Sequence, residues 1–164
     1  MGGRLFSVMA AVAILASGVA AREPTWQELQ NLPPWAGSIL GEQRFVSAYA
    51  LSTRINPYFL QGDFNGDGRL DVAVLIERKT TVQQGIAILH AGSTNPIVVG
   101  AGREIGNGGA DFSWLDAWSI ETRDTRGKSA PALRGDALLV QKLESASGLI
   151  YWDGTAYRWR QQGD

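Results

Sequence analysis

Residues Asp63 to Asp71 combine residue types and spacing that could hold a metal ion. The stretch reads D-F-N-G-D-G-R-L-D, so carboxylate or amide oxygens stand at alternate positions and one further carboxylate closes the run. Carboxylates this close in sequence repel one another, and a hard cation with roughly six to eight oxygen ligands relieves that repulsion. The pattern therefore predicts a cation site.

The predicted ligands come from every second residue of this loop. They are the side chains of Asp63, Asn65, Asp67 and Asp71 and the backbone carbonyl of Arg69. Gly66 and Gly68 allow the positive φ angles that a tightly wrapped loop requires. Because every donor is oxygen and the ligand number is flexible, the loop favours Ca²⁺ over Mg²⁺. The alternative is a solvated turn, since Asp, Asn and Gly also favour turns.

The stretch from Gly62 to Val74, G-D-F-N-G-D-G-R-L-D-V-A-V, resembles the calcium loop of FG-GAP or VCBS-type repeats. Such repeats occur in integrin α-subunit propellers and in many bacterial secreted proteins. The resemblance implies a Ca²⁺ loop between two strands, with ligands from Asp63, Asn65, Asp67, Arg69 and Asp71. It covers one loop copy, whereas a propeller needs at least four blades of about 40 residues, so it implies neither a complete propeller nor adhesion.

Residues 1–21 are interpreted as a secretory signal peptide. Arg4 supplies a positive charge, Leu5 to Ala16 is apolar, and small residues follow as far as Ala21. The apolar run is shorter than the about 20 residues that span a bilayer. We therefore expect a periplasmic or secreted protein, with no membrane insertion after signal removal.

The composition narrows the class of protein. The chain of 164 residues has no cysteine, which rules out a disulfide framework, so its core or a metal must hold it together. The formal net charge of −1 gives no basic surface for nucleic acid. Six tryptophans can supply much of a core.

The elements that position the loop follow from turn signals and apolar runs. We expect a helical or irregular segment over residues 22–57 and a β domain over residues 58–164. Thr25 caps a predicted helix that begins at Trp26 and ends near Leu32, before Pro33-Pro34. Residues 39–50 fit either a second short helix or a strand.

Short apolar runs separated by Gly, Asn, Asp, Ser and Pro predict strands in the second segment. The eight runs are Tyr58–Gln61, Leu70–Arg78, Gly85–Ala91, Ile97–Ala101, Trp114–Thr122, Ala137–Leu143, Gly148–Trp152 and Ala156–Arg160. The predicted fold is mainly β: a single-domain antiparallel meander or sheet of about eight short strands, with a short N-terminal helix.

The last two runs predict a hairpin around Asp153-Gly154, a signal for a two-residue turn. This turn would pair Trp152 with Thr155, Ile150 with Tyr157, and Gly148 with Trp159. The face with Trp152, Tyr157 and Trp159 is then either core or an aromatic platform for a sugar. Buried aromatics are the commoner case.

Other candidates are isolated residues. His90, the one histidine, is expected to be a hydrogen-bonded structural residue at a strand end. Trp114, Asp116 and Trp118 alternate and predict a shared face, either core or an aromatic-lined cleft. Asp111 and Asp116 are close enough in sequence for a glycosidase-like acid pair.

The sequence thus favours an exported accessory or interaction module with one structural Ca²⁺ and no enzymatic activity. Its partner would be an unidentified protein or glycan. One alternative is a carbohydrate-active or hydrolytic enzyme with a cleft around Trp114, Asp116 and Trp118. Another is a sugar-binding module on the Trp152, Tyr157 and Trp159 face.

Overall fold

The computed structural model describes residues 31–123 and 133–163. The predicted signal peptide and the first turns of the helix predicted from Trp26 lie outside this part of the chain. Two short α-helices open the described part, α1 over Pro34–Leu40 and α2 over Gln43–Val46. Among the described helices, none has the length and apolarity needed to cross a membrane.

The first sheet is built around its third strand. Its strands are β1 Tyr49–Leu51, β2 Phe59–Gly62, β3 Asp71–Arg78, β4 Gln84–Leu89 and β5 Ile97–Gly100. One edge of β3 pairs with β1 at its C-terminal end and with β2 at its N-terminal end, where Gly62 faces Asp71. Its other edge pairs with β4, which pairs with β5, and every pairing is antiparallel.

The second sheet is a four-stranded antiparallel meander. It contains β6 Ala117–Glu121, β7 Ala137–Lys142, β8 Ala146–Trp152 and β9 Tyr157–Gly163, in that spatial order. A 3₁₀ turn over Gly106–Gly108 lies between the sheets in sequence and packs against Trp159 of β9. The mainly β class is confirmed, and each of the eight predicted strands has a counterpart. The ninth strand, β1, overlaps the end of residues 39–50, a range that fits either a helix or a strand and that also contains α2.

The first sheet is buried on both faces, which explains the continuous apolar run of β3. Ala73 and Leu75 face a core shared with the second sheet, which includes Ile86, Phe112, Leu138 and Ile150. Val72, Val74 and Ile76 face a second core, completed by Ala36, Leu40 and Phe45 of the helical segment. The molecule therefore has three layers: helices, first sheet and second sheet. A strand covered on both faces loses the alternation of a half-exposed strand.

Residues 31–33 are not helical, and the rest of the helix predicted to end near Leu32 lies outside the described residues. Pro34 begins α1, because proline lacks the N–H that would be unpaired in a first turn and its φ is already helical. The carbonyl of Pro33 accepts the N–H groups of Ala36 and Gly37 at 2.9 and 3.0 Å.

The predicted pairing of the last hairpin was wrong. Trp152 pairs with Tyr157 and Ile150 with Trp159, so the loop has the four residues Asp153 to Ala156. The carboxylate of Asp153 holds this loop, since its Oδ1 accepts the N–H groups of the third and fourth loop residues at 2.8 and 2.9 Å. The shift is two residues, which preserves the faces, so the predicted common face of Trp152, Tyr157 and Trp159 is retained.

Candidate cation site

The candidate loop connects β2 to β3 as a hairpin-type connection, closed by the Gly62–Asp71 pair. Phe64 points from the loop into the core between the sheets and is fully buried. This anchor fixes the loop at one end of the first sheet. The site thus lies on strand ends rather than between helices.

Side-chain oxygens of the loop bind its own backbone. Asp67 N donates to Asn65 Oδ1 at 2.9 Å, and Arg69 N donates to Asp67 Oδ1 at 2.9 Å. Gly68 N donates to Asp63 Oδ2 at 3.1 Å. These bonds wrap the chain around its polar side chains, as an alternating ligand pattern requires. The guanidinium of Arg69 lies against Gly92.

Asp71 forms the buried end of the loop, with 0% of its surface exposed. Its Oδ2 accepts the N–H of Asn65 at 3.2 Å and its Oδ1 accepts the N–H of Ala91 at 2.8 Å. Burial raises the pKa of Asp71, while the Ala91 N–H and the nearby His90 act in the opposite direction. A cation beside this carboxylate would favour its charged form.

Asp63 has an unmatched acceptor. Its Oδ2 accepts from Gly68 and lies 3.7 Å from a guanidinium nitrogen of Arg123. Its Oδ1 is buried and makes no hydrogen bond, and no other side-chain nitrogen or oxygen in residues 31–123 and 133–163 shares that state. A buried carboxylate oxygen without a partner costs free energy, which a bound cation would recover.

The other end of the loop is open to solvent. Asp67 is exposed, and its Oδ2 accepts from Asn65 Nδ2 at 3.1 Å. This hydrogen bond, followed by the N–H of Arg69, lowers the pKa of Asp67. The site therefore has one fully buried carboxylate, Asp71, one partly buried carboxylate, Asp63, and an exposed rim at Asp67.

Within the described part of the chain, no three His, Cys, Asp or Glu side chains form a group that could hold a metal ion. The loop instead closes on itself through the Asn65–Asp67 side-chain hydrogen bond. For an ion to bind, the hydrogen bond between Asn65 Nδ2 and Asp67 Oδ2 would have to break, so that the ligand oxygens could converge on one point. Arg69 would contribute its carbonyl oxygen and Asn65 its amide oxygen, and neither atom belongs to a His, Cys, Asp or Glu side chain.

The segment that leads into β7 packs against the loop, a contact that the sequence did not predict. Asp63 N donates to Asp136 Oδ2 at 3.0 Å, and Asp136 N donates to Asp63 O at 2.7 Å. A Cβ on Gly66 would lie 2.2 Å from the carbonyl oxygen of Arg134, and one on Gly135 would lie 2.2 Å from that of Asp63. The backbones are thus in contact, and the loop joins the two sheets.

His90 also joins the sheets, and the prediction of a hydrogen-bonded structural histidine is confirmed. It directly follows β4, and its Nε2 lies 2.7 Å from the hydroxyl oxygen of Tyr157 on β9. The ring of Trp152 packs edge-on at 5.1 Å. Burial raises the pKa of Tyr157, so its hydroxyl stays protonated.

The predicted acid pair has separate structural roles. Asp111 Oδ1 accepts the N–H groups of Gln84 and Ser113 at 2.8 and 3.0 Å. Asp116 Oδ2 lies 3.1 Å from Lys142 Nζ, and the hydrogen bond from this lysine lowers the pKa of Asp116. Each carboxylate therefore already holds a turn or a neighbouring strand in place.

The predicted alternation of Trp114, Asp116 and Trp118 on one strand face is also wrong, because β6 begins only at Ala117. Trp118 is buried, and its indole N–H donates to the carbonyl of Pro57 at 2.7 Å. It therefore lines no open cleft.

The aromatic face of the last hairpin packs as core. Tyr157 is buried, and Trp152 and Trp159 are partly buried against the core between the sheets. The Trp152 and Tyr157 rings are inclined by 60°, and the Trp114 and Trp159 rings by 86°. These inclined rings do not form the flat platform on which a sugar would stack.

Comparison of the chain with protein-family models, curated proteins and solved structures finds no match in any of the three. The likeness of Gly62 to Val74 to FG-GAP or VCBS-type calcium loops thus rests on that stretch alone. Any indication of function must therefore come from the geometry of the loop and of its contact with residues 134–136.

Proposed function

We propose that this chain is an exported, non-enzymatic accessory or interaction module that one Ca²⁺ ion stabilises. The ligands would be the side chains of Asp63, Asn65, Asp67 and Asp71 and the carbonyl of Arg69. The observation that carries the proposal is the buried Oδ1 of Asp63, which has no hydrogen-bond partner. Export rests on the leader-like sequence of residues 1–21.

Oxygen chemistry and access favour calcium over other ions. The loop offers carboxylate, amide and carbonyl oxygens, with the buried Asp71 and the partly buried Asp63 below an exposed Asp67. Ca²⁺ accepts irregular sets of oxygen ligands, whereas Mg²⁺ demands a near-ideal octahedron and gives up its water reluctantly. An open rim leaves room for water to complete the ligand shell.

The position of the loop explains why the ion would stabilise the fold. Asp63 is bound to Asp136 of the second-sheet segment, and Asp71 begins the central strand of the first sheet. Drawing Asp63 and Asp71 toward one ion would therefore tighten the junction between the sheets. Extracellular modules bind Ca²⁺ with Kd of roughly 10⁻⁴–10⁻³ M. Calcium at tenfold its Kd would add about 1.4 kcal/mol to the free energy of unfolding.

The test is thermal unfolding of the purified chain with calcium and with chelator. We expect calcium at tenfold its Kd to raise the melting temperature by about 4 °C. Asp67→Ala should remove this rise because it deletes a rim ligand. Asp153→Asn is the matched control, since it alters an aspartate in another loop, and it should retain the rise. An unchanged melting temperature in chelator would contradict the proposal.

A further inference from the structure

A small cleft lies on the helical side of the first sheet, away from the cation loop. Its volume is about 230 Å³ and its apolar lining is Phe45, Tyr49, Pro96 and Val98. Pockets for drug-sized ligands measure roughly 300–1,000 Å³, so this cleft suits a group of single-residue size.

Arg44 builds one polar wall of the cleft. Its Nε donates to Glu42 Oε2 at 2.6 Å, its Nη1 to Asn95 Oδ1 at 3.0 Å, and its Nη2 to the carbonyl of Thr94 at 2.6 Å. These bonds tie α2 to the turn before β5. The guanidinium therefore holds the shape of the cleft, while the carboxylate of Glu42 balances its charge.

Arg103 supplies a second guanidinium to the same cleft. Its backbone is fixed, because its N–H and carbonyl both pair with Gly100 at 2.8 Å. Its side chain is exposed and makes no hydrogen bond or ion pair within residues 31–123 and 133–163. The adjacent Glu104 lines a different cleft, beside Tyr151 and Arg158.

We infer that this cleft binds the C-terminal carboxylate of a partner peptide whose last side chain is apolar. Arg103 would bind the carboxylate, since a guanidinium matches a carboxylate in charge and in its planar geometry. Phe45, Tyr49 and Val98 would cover the apolar side chain. No Asp or Glu is among the described residues that line the cleft, and the neighbouring Glu42 is paired with Arg44, which leaves the charge of Arg103 for an anion. The inference names a partner class and therefore rests on the proposed role as an interaction module.

The experiment is an NMR titration of the full chain, at saturating calcium, with the tripeptide N-acetyl-Gly-Gly-Phe. We expect weak, roughly millimolar binding, with shifts at the amides of Phe45, Tyr49 and Val98. The same peptide with a C-terminal amide should bind about tenfold more weakly, because it lacks the charge that Arg103 recognises. Arg103→Gln should lose a similar factor, whereas Arg160→Gln, on the second sheet, should bind as the original chain does.

Equal binding of acid and amide would overturn the inference, as would unchanged affinity in Arg103→Gln or shifts confined to another surface. The calcium-dependent melting shift is measured on the same sample, which separates this result from the calcium proposal. If calcium stabilises the chain but the peptide does not bind, only the proposal for the cleft is rejected. If the peptide binds but calcium does not stabilise the chain, only the proposal for the cation loop is rejected.

Discussion

Two loops of this molecule contain aspartate and glycine and connect antiparallel strands. The first aspartate of each loop differs in its hydrogen bonds. In the Asp153 loop, Oδ1 accepts from the N–H and hydroxyl of Thr155 and the N–H of Ala156, and Oδ2 accepts from Arg158 at 2.6 Å. In the Asp63 loop, Oδ1 is buried and accepts nothing. One carboxylate is fully used by protein donors, while the other has acceptor capacity left over.

A buried acceptor that the chain itself does not satisfy separates a candidate ion site from an ordinary turn. Both loops have the residue types that favour turns, so composition alone does not distinguish them. The two loops also differ in their packing, because contact with the Arg134–Gly135 backbone excludes water from one side of the Asp63 loop.

The largest expected loss of stability comes from disturbing the contact between the Asp63 loop and the backbone of Arg134 and Gly135. Gly66→Ala should cost about 3 kcal/mol of unfolding free energy or more, because the new Cβ would lie 2.2 Å from the backbone of Arg134. Gly68→Ala is the matched control. Gly68 has a similar φ of +83° but nothing within 4 Å of a Cβ, so only conformational strain of about 1 kcal/mol is expected. Urea unfolding of both variants measures the difference.

Equal losses in Gly66→Ala and Gly68→Ala would mean that contact with the second sheet contributes nothing. The two loops would then differ only in their own hydrogen bonds. Calcium should also stabilise the Gly68→Ala chain, since its ligands are intact.

An intermediate loss of stability is expected at the His90–Tyr157 contact, which connects the Asp153 hairpin to the end of β4. Tyr157 follows the Asp153 loop directly, and His90 precedes Ala91, whose N–H binds Asp71. Tyr157→Phe should cost about 1 kcal/mol, because the partly buried His90 loses its hydrogen-bond partner. Tyr151→Phe, which alters the opposite face of the sheet, should change stability little. Calorimetry of both variants tests this, and equal melting temperatures would contradict the bridging role of Tyr157.

The smallest effect is expected at the Asp153 loop and depends on pH. The hydrogen bond from Arg158, followed by those from the backbone of Ala156 and Thr155, lowers the pKa of Asp153 below its ordinary value of 3.8. A lowered folded-state pKa stabilises the fold above the unfolded-state value, and this stability is lost as pH falls through the folded-state value. Asp153→Asn should therefore be less stable than the original chain at pH 7, with a gap that narrows below about pH 4.

The pH dependence is read from melting temperatures of the two chains between pH 7 and pH 2.5. Added salt should also narrow the gap at pH 7, because the Asp153–Arg158 pair is partly exposed. A gap that widens on acidification would contradict the assigned role of the carboxylate.

Much of the fold could be predicted from the sequence because turn residues bound its apolar runs. β1 could not, since its three buried residues show no alternation. The hairpin register was missed because a side chain, that of Asp153, sets the loop length. Asp136 was missed because its partner Asp63 lies 73 positions away, which no local pattern reveals.

The most direct test of the central claim is calorimetric titration of the purified chain with CaCl₂, beside Asp63→Asn and Asp153→Asn. We predict one Ca²⁺ per chain with a Kd of roughly 10⁻⁴–10⁻³ M, weakened at least tenfold by Asp63→Asn and unchanged by Asp153→Asn. Absence of binding at millimolar calcium, or equal binding by the chain with Asp63→Asn, would contradict the account.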